Sequence, residues 1–188
     1  MGKRFESLTP EHIAFIEKQH LFFVGTAAQG RHINISPKGY DTFRILSPTE
    51  VAYMDLTGSG NETSAHLAED GRITIMFVAF EGAPNIMRLY GSGRVILPGD
   101  PDWASYAERF DPLPGARQII AIDVSEVKTS CGYSIPFFSY SGEREALHRW
   151  AVQKGEDGLV QYRQEKNTFS MDGVLTPLGE RHKHMNGE

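Results

Sequence analysis

The most informative part of this chain is residues 53–67, which read Tyr53-Met54-Asp55-Leu56-Thr57-Gly58-Ser59-Gly60-Asn61-Glu62-Thr63-Ser64-Ala65-His66-Leu67. The segment begins as an apolar strand, passes through a glycine-rich loop and continues as a short helix. Gly71 lies where a glycine would end that helix, and a second strand candidate begins at Arg72. Residues 53–80 therefore predict a strand, a loop, a helix and a strand in direct succession.

Short apolar or alternating segments on both sides of this part predict further strands. About seven strands are expected before residue 128, at 21–27, 32–36, 42–46, 51–55, 72–80, 86–97 and 117–127. Helices are expected near 10–20, 62–70 and 101–110, so they interrupt the strands and do not alternate with them. That order favours a closed antiparallel barrel over a doubly wound parallel sheet.

The composition is typical of one domain rich in strands. The 188 residues include 19 Gly and 10 Pro, which suit many tight turns. A net charge of −5 argues against a nucleic-acid surface, and the single cysteine, Cys131, excludes a disulfide framework and a cysteine-based zinc site. No apolar run approaches the ~20 residues of a membrane helix, and no signal-peptide core follows Met1, so we expect a cytoplasmic protein without membrane contacts or a metal site.

Residues 128–188 differ from the rest of the chain. Helices are expected over 143–154 and 156–166, with Gly155 between them, while the chain after Asn167 is expected to be irregular and to fray over 181–188. Two helices are too few to bury a core of their own. We therefore expect a single domain over 1–188, in which 8–127 form the barrel and 128–188 pack on it as an extension.

The junction of loop and helix at 57–66 is the strongest candidate for binding an anion. Backbone N–H groups at a helix N-terminus lack partners within the helix and carry partial positive charge. Glycines let the backbone approach a ligand, and the hydroxyls of Thr63 and Ser64 can donate to phosphate oxygens. No Gly-Lys-Ser/Thr follows the glycines, which excludes a nucleoside-triphosphate loop. A turn and a capped helix without a ligand are the alternative.

Cationic side chains at strand positions are a second candidate. Lys38 lies in the turn sequence Ser36-Pro37-Lys38-Gly39 at the end of a strand, and Arg44 and Arg88 lie within strands. An arginine in a strand either faces solvent or reaches into a polar ligand site. Together with the loop hydroxyls, these side chains predict a site for one ligand that carries a phosphate.

The order of these features resembles the pyridoxamine 5′-phosphate oxidase-like family of flavin-binding split barrels. The segments that carry the resemblance are 21–27, 33–39, 53–67, 72–77 and 88–95, within a matching region of about 8–127. The resemblance implies a mainly β fold with peripheral helices, built on a six-stranded antiparallel Greek-key split β-barrel. It also implies a homodimer with FMN at the interface, and the extension resembles that of one bacterial branch of the family.

The resemblance further implies which residues hold the cofactor. Lys38 and residues 61–64 match the side that binds the phosphate, Arg44 matches a basic strand position with the same role, and Arg88 lies on the strand that passes the isoalloxazine. The full implied set is Ser36, Pro37, Lys38, Gly39, Arg44, Asn61, Glu62, Thr63, Ser64 and Arg88.

The sequence departs from the authentic oxidase at two places. That enzyme has an Arg-Lys pair where this chain has Thr63-Ser64, and the basic motif for pyridoxal phosphate has no match over 167–188. Pyridoxamine phosphate is therefore not predicted as the substrate.

Redox chemistry in such a protein belongs to the flavin, which explains why the sequence shows no catalytic dyad or triad. We expect an FMN-dependent oxidoreductase acting on a small organic substrate, with NAD(P)H or oxygen as the partner. The alternatives are a non-catalytic module that stores or senses flavin, deazaflavin or haem, and a barrel whose site no longer binds a ligand.

Overall fold

The computed structural model describes residues 2–186, which form eight strands and five helices. The strands are β1 (Lys3–Phe5), β2 (Phe22–Thr26), β3 (Asn34–Lys38), β4 (Phe43–Ser47), β5 (Glu50–Leu56), β6 (Arg72–Val78), β7 (Ile86–Ile96) and β8 (Ala116–Ser130). The helices are α1 (Pro10–Ile16), α2 (Glu62–Glu69), α3 (Trp103–Ala107), α4 (Ala146–Lys166) and α5 (Pro177–Asn186).

The strands form one antiparallel sheet in the order β3-β2-β6-β7-β8-β5-β4. The long strand β8 pairs with β7 along most of its length, with β5 over Ala116–Asp123 and with β1 over 127–129. The predicted mainly β, antiparallel class with peripheral helices is confirmed. The strand count is eight where the family pattern implied six, and the strand pattern missed β1 because its three residues are mostly exposed and carry no apolar alternation.

Two cores lie on opposite faces of the sheet. On β5, Val51 and Tyr53 contribute to the main core, while Ala52 and Met54 point to a second core that α3 covers with Trp103. Successive strand residues face opposite sides, so β5 and the first half of β8 are buried on both faces. This double burial explains why 51–55 and 117–127 read as nearly continuous apolar runs.

Gly91 is required where β7 and β8 approach each other at a register shift between Tyr90 and Gly91. A Cβ atom at Gly91 would lie 2.1 Å from the backbone oxygen of Asp123. Without a side chain at Gly91, β7 can follow β8 through the irregularity and continue past it.

The extension is more ordered than its sequence indicates. Gly155, with φ of 67°, interrupts α4, as expected for a boundary between two helical segments. After Asn167 the chain makes a bridge between Phe169 and Leu175 and then forms α5, where an irregular, frayed tail was predicted. The Thr176 hydroxyl accepts a hydrogen bond from the Gly179 amide at 3.0 Å, a cap that sequence periodicity did not reveal. The predicted fraying of residues 187 and 188 lies outside the described chain.

Among residues 2–186, no helix combines the length and the apolar character that crossing a bilayer demands.

Candidate functional site

Strand β3 turns a polar face inward and an apolar face outward. Asn34, Ser36 and Lys38 alternate along the strand and pair across to the buried residues of β2. The intervening Ile33 and Ile35 are 76% and 70% exposed. The inner row is the part of β3 that faces α2 and β5, because Asn34 bonds to Thr63 and Lys38 bonds to Asp55.

The buried carboxylate of Asp55 is the centre of a polar network. It accepts hydrogen bonds from Lys38 Nζ at 2.7 Å and from Arg117 Nε and Gln118 Nε2, both at 2.8 Å. Burial alone would raise the pKa of Asp55, but the nearby charges of Arg117 and Lys38 and their hydrogen bonds hold it well below its usual range. Asp55 is therefore ionised at neutral pH and fixes the ammonium group of Lys38.

The glycine loop over 57–61 is held at both ends. Thr57 donates to the Gly115 carbonyl through its amide and its hydroxyl, both at 2.7 Å. The Asn61 side chain accepts from Gln118 Nε2 at 2.8 Å and donates to the Asn167 carbonyl at 3.4 Å. Because both side-chain groups of Asn61 are engaged, this N-cap residue makes no side-chain bond to the first turn of α2.

Hydroxyl groups without partners surround this uncapped turn. Ser36 Oγ, Ser64 Oγ and the Tyr53 hydroxyl are buried and make no hydrogen bond within the described chain. Burial and the charge of Asp55 raise the pKa of Tyr53, so this phenol stays protonated and remains a donor. The Lys38 ammonium lies 5.8 Å from the centroid of the Tyr53 ring. Buried polar groups usually have partners, so this concentration indicates a place for a polar ligand.

The charges around the loop do not balance within the described chain. Three cationic side chains belong to this hydrogen-bonded network: Lys38, Arg117 and Arg163, which donates to Thr57 Oγ1 at 2.9 Å. Asp55 is the carboxylate that pairs with two of them. Unbalanced charge that is partly removed from water is costly. An anion bound beside the loop would offset that excess.

The structure brings together most of the site residues predicted from sequence. Ser36, Lys38, Asn61, Thr63 and Ser64 belong to the inner face of β3 and to the start of α2. Gly39 follows directly after Lys38. Pro37 points to the opposite face of β3, since it pairs with Phe23 on the outward side.

Three other predicted residues have different surroundings. Glu62 accepts the Met171 amide at 3.0 Å. Arg44 forms an ion pair with Asp41 at 2.6 Å and lies 5.0 Å from the Phe110 ring, on the face that α3 covers. Arg88 pairs across from Met76 on the outer face of the sheet and donates to Ser130 Oγ at 3.4 Å. Arg44 and Arg88 therefore do not converge with Lys38 in this chain.

Sequence reasoning missed four members of the network: Asp55, Arg117, Gln118 and Asn167. All four are at most 4% exposed. A signal was present for the first three, because each is polar within or beside a run of apolar strand residues. Asn167 carries no such signal, since a polar residue at the end of a helix is ordinary.

Two surface depressions are large enough to hold small molecules or a partner. A groove of about 540 Å³ lies on the outer face between Ile33, Ile35 and Tyr90. A cleft of about 850 Å³ lies between α1, residues 78–83 and residues 138–142, and its lining includes none of the predicted site residues.

Comparison with known proteins adds three findings. A family model described as pyridoxamine 5′-phosphate oxidase matches residues 8–131. The pyridoxamine 5′-phosphate oxidase family protein ustO of Aspergillus flavus is 39% identical over 190 aligned residues, covering 90% of this chain and 76% of that protein. Among solved structures, HupZ of Group A Streptococcus has a TM-score of 0.53 at 22% identity, over 65% of this chain and 98% of that one.

A second solved structure agrees with the first. A putative pyridoxamine 5′-phosphate oxidase from Lactobacillus delbrueckii has a TM-score of 0.51 at 16% identity, over 65% of this chain and 94% of that one. At these identities, the two structures are evidence for the fold only.

Proposed function

Because the chain belongs to the pyridoxamine 5′-phosphate oxidase family, we propose that it is an FMN-binding flavoprotein that acts as an oxidoreductase on a small organic substrate. The observation that carries the proposal is the excess of positive charge around the glycine loop. Lys38, Arg117 and Arg163 are cationic, and Asp55 is the carboxylate they share a network with in the described chain. A phosphate monoester supplies the missing negative charge.

The side chains present fit a phosphate group. In this proposal Lys38 gives the charge-assisted contact, Ser36, Thr63 and Ser64 give hydroxyl donors, and the uncapped first turn of α2 gives backbone N–H groups. Asp55 does not compete for the phosphate, because its lone pairs already accept from three donors. Thr63 Oγ1 accepts from Asn34 at 3.0 Å, which leaves its own proton free to donate.

The flavin would supply the redox chemistry when bound, and the residues of this chain would bind and orient it. Arg88 and Pro37 remain proposed contacts of the ring system, since both lie on the outer face of the sheet. Arg44 remains a sequence-based prediction whose present contacts are Asp41 and Phe110.

We also propose that the functional unit is a homodimer. The exposed Ile33 and Ile35 border the groove on the outer face, beside Tyr90. Contiguous exposed apolar surface is typical of protein–protein contacts. A second copy covering this face would bury the isoleucines and enclose the side on which Arg88 lies.

The test begins with the protein as purified. An absorbance spectrum with flavin bands, followed by mass spectrometry that identifies FMN in the released ligand, is the expected result. If the spectrum is featureless, the protein is titrated with FMN, and failure to bind refutes the proposal. Deazaflavin or haem in the released ligand would refute FMN as the cofactor. Bound flavin that NADH or NADPH does not reduce and oxygen does not reoxidise would indicate a binding module without catalysis.

A further inference from the structure

Asn167, which lies just after α4, is completely buried and joins the extension to the barrel. Its side-chain oxygen accepts from Arg117 Nη1 at 2.9 Å, and its side-chain nitrogen donates to the Gly58 carbonyl at 2.9 Å. Its backbone oxygen accepts from the side chains of Asn61 and Thr176, at 3.4 and 2.7 Å. One residue of the extension thus contacts the glycine loop near both of its ends.

Two neighbours extend this contact to the flanks of the loop. Arg163 donates to Thr57 Oγ1 at 2.9 Å and to the Ala116 carbonyl at 3.1 Å. The Met171 amide donates to the carboxylate of Glu62 at 3.0 Å. The extension therefore bonds to the chain at 57, 58, 61 and 62, which spans the loop and the start of α2.

The loop has little else to fix its middle. A Cβ atom at Gly58 would find no atom within 4 Å, so no packing restricts the loop at that position. Glycine also loses more conformational freedom on ordering than other residues do. The hydrogen bond from Asn167 to the Gly58 carbonyl is the one that orders this point of the loop within the described chain.

We propose that Asn167 is a positioning residue for the phosphate-binding loop, so that the extension, and not the barrel alone, completes the phosphate site. The inference rests on the proposed function, because it assigns the loop to the phosphate of FMN. Asn167 touches the loop and Arg117 and acts on the phosphate only through them. Its effect is therefore specific to ligands that carry the phosphate.

The experiment compares FMN with riboflavin, which has the same ring system and no phosphate. Asn167→Ala and the isosteric Asn167→Asp both remove the donor to the Gly58 carbonyl. The matched control is Arg181→Ala, which removes a contact of α5 with Asp100 at another point of the extension. We expect both Asn167 variants to raise the Kd for FMN at least tenfold and the Kd for riboflavin less than threefold, and the control to change neither by more than threefold.

A second measurement does not depend on flavin. Hydrogen–deuterium exchange of the amides over 58–64 should speed up at least tenfold in both Asn167 variants and stay unchanged in Arg181→Ala. If Asn167→Ala does not fold, Asn167→Asp provides both measurements, since it keeps the size of the side chain and the acceptor for Arg117.

The outcomes separate the two proposals. A wild-type protein that binds neither flavin refutes the proposed function, while unchanged exchange at 58–64 refutes the positioning role whether or not flavin binds. If FMN and riboflavin weaken by the same factor, Asn167 supports the fold and does not position the phosphate site, and the inference is wrong.

Discussion

Lys38 is the cation of the candidate site that the structure connects most directly to the inner face of β3. Replacing it with Met keeps the aliphatic stem and removes one charge-assisted contact. We expect Lys38→Met to weaken FMN binding by about 1.5–3 kcal/mol, the usual contribution of such a contact. Fluorescence titration of FMN measures the change.

Arg44→Met is the matched control, because the structure gives Arg44 to Asp41, Phe110 and the Arg109 carbonyl and not to the loop. Its FMN affinity should stay within threefold of wild type. Equal losses in both variants would show that Arg44 also contacts the phosphate and that the placement of the site on the inner face is incomplete.

Asp55 makes the stability of the fold depend on pH. Its pKa is lowered in the folded state, so its stabilisation is complete above the unfolded value near 3.9 and is lost as the pH falls from about 5 toward the folded value. We expect Asp55→Asn to lower the free energy of unfolding by about 3–5 kcal/mol at pH 7, because it leaves two buried cations without their counter-charge. Urea unfolding between pH 2.5 and pH 7, a range chosen around that value, should show this deficit shrinking as the pH falls.

Asp70→Asn is the control for that series. Asp70 pairs with Arg72 near the surface, where solvent screens the pair. Its unfolding curve should stay close to wild type at pH 7. A deficit in Asp55→Asn that stays constant down to the lowest pH would contradict the assignment of Asp55 as the ionised centre of the network.

At the scale of elements, the register shift in β7 depends on the absence of a side chain. We expect Gly91→Ala to lower the free energy of unfolding by at least ~2 kcal/mol, because its Cβ would overlap the Asp123 carbonyl at 2.1 Å. Gly25→Ala in β2 is the matched control, since its Cβ would meet nothing closer than 3.8 Å and should cost less than ~1 kcal/mol. Urea midpoints that coincide for the two variants would show that the backbone relaxes freely at the shift.

Most elements were predictable because their signals are local. Alternation identified the inner and outer residues of β3, and Pro10 with Thr9 marked the start of α1, where the Thr9 hydroxyl accepts the His12 amide. The elements that escaped prediction depend on distant partners. β1 is a strand because Lys3–Phe5 pairs with 127–129, and α5 packs so that Gly179 lies directly against Thr168.

At the scale of the whole molecule, the proposed dimer can be tested through the outer face of β3. We expect the wild-type protein to sediment with twice the 21.0 kDa of one chain. Ile33→Glu combined with Ile35→Glu should give a monomer, because it places two charges in the centre of the proposed contact. Sedimentation velocity over a range of concentrations is the measurement.

Val152→Glu on α4 is the control for this prediction. Val152 is 68% exposed but lies away from the groove lining, so its replacement should leave the dimer intact. A wild-type monomer at every concentration, or a dimer that survives the double substitution, would refute the proposed interface.

The sequence alone determined the mainly β antiparallel class, the interruption of the strands by short helices, and the glycine loop as the place to look for an anion. Those features depend on residues that are neighbours in the chain, so alternation, caps and turn residues report them directly. The tertiary structure decided which cations meet at the loop, since Lys38, Asp55, Arg117 and Asn167 are joined by hydrogen bonds across separations of 17 to 62 residues. It also placed Arg44 and Arg88 on other faces, because the face that a strand side chain occupies depends on the register of its pairing.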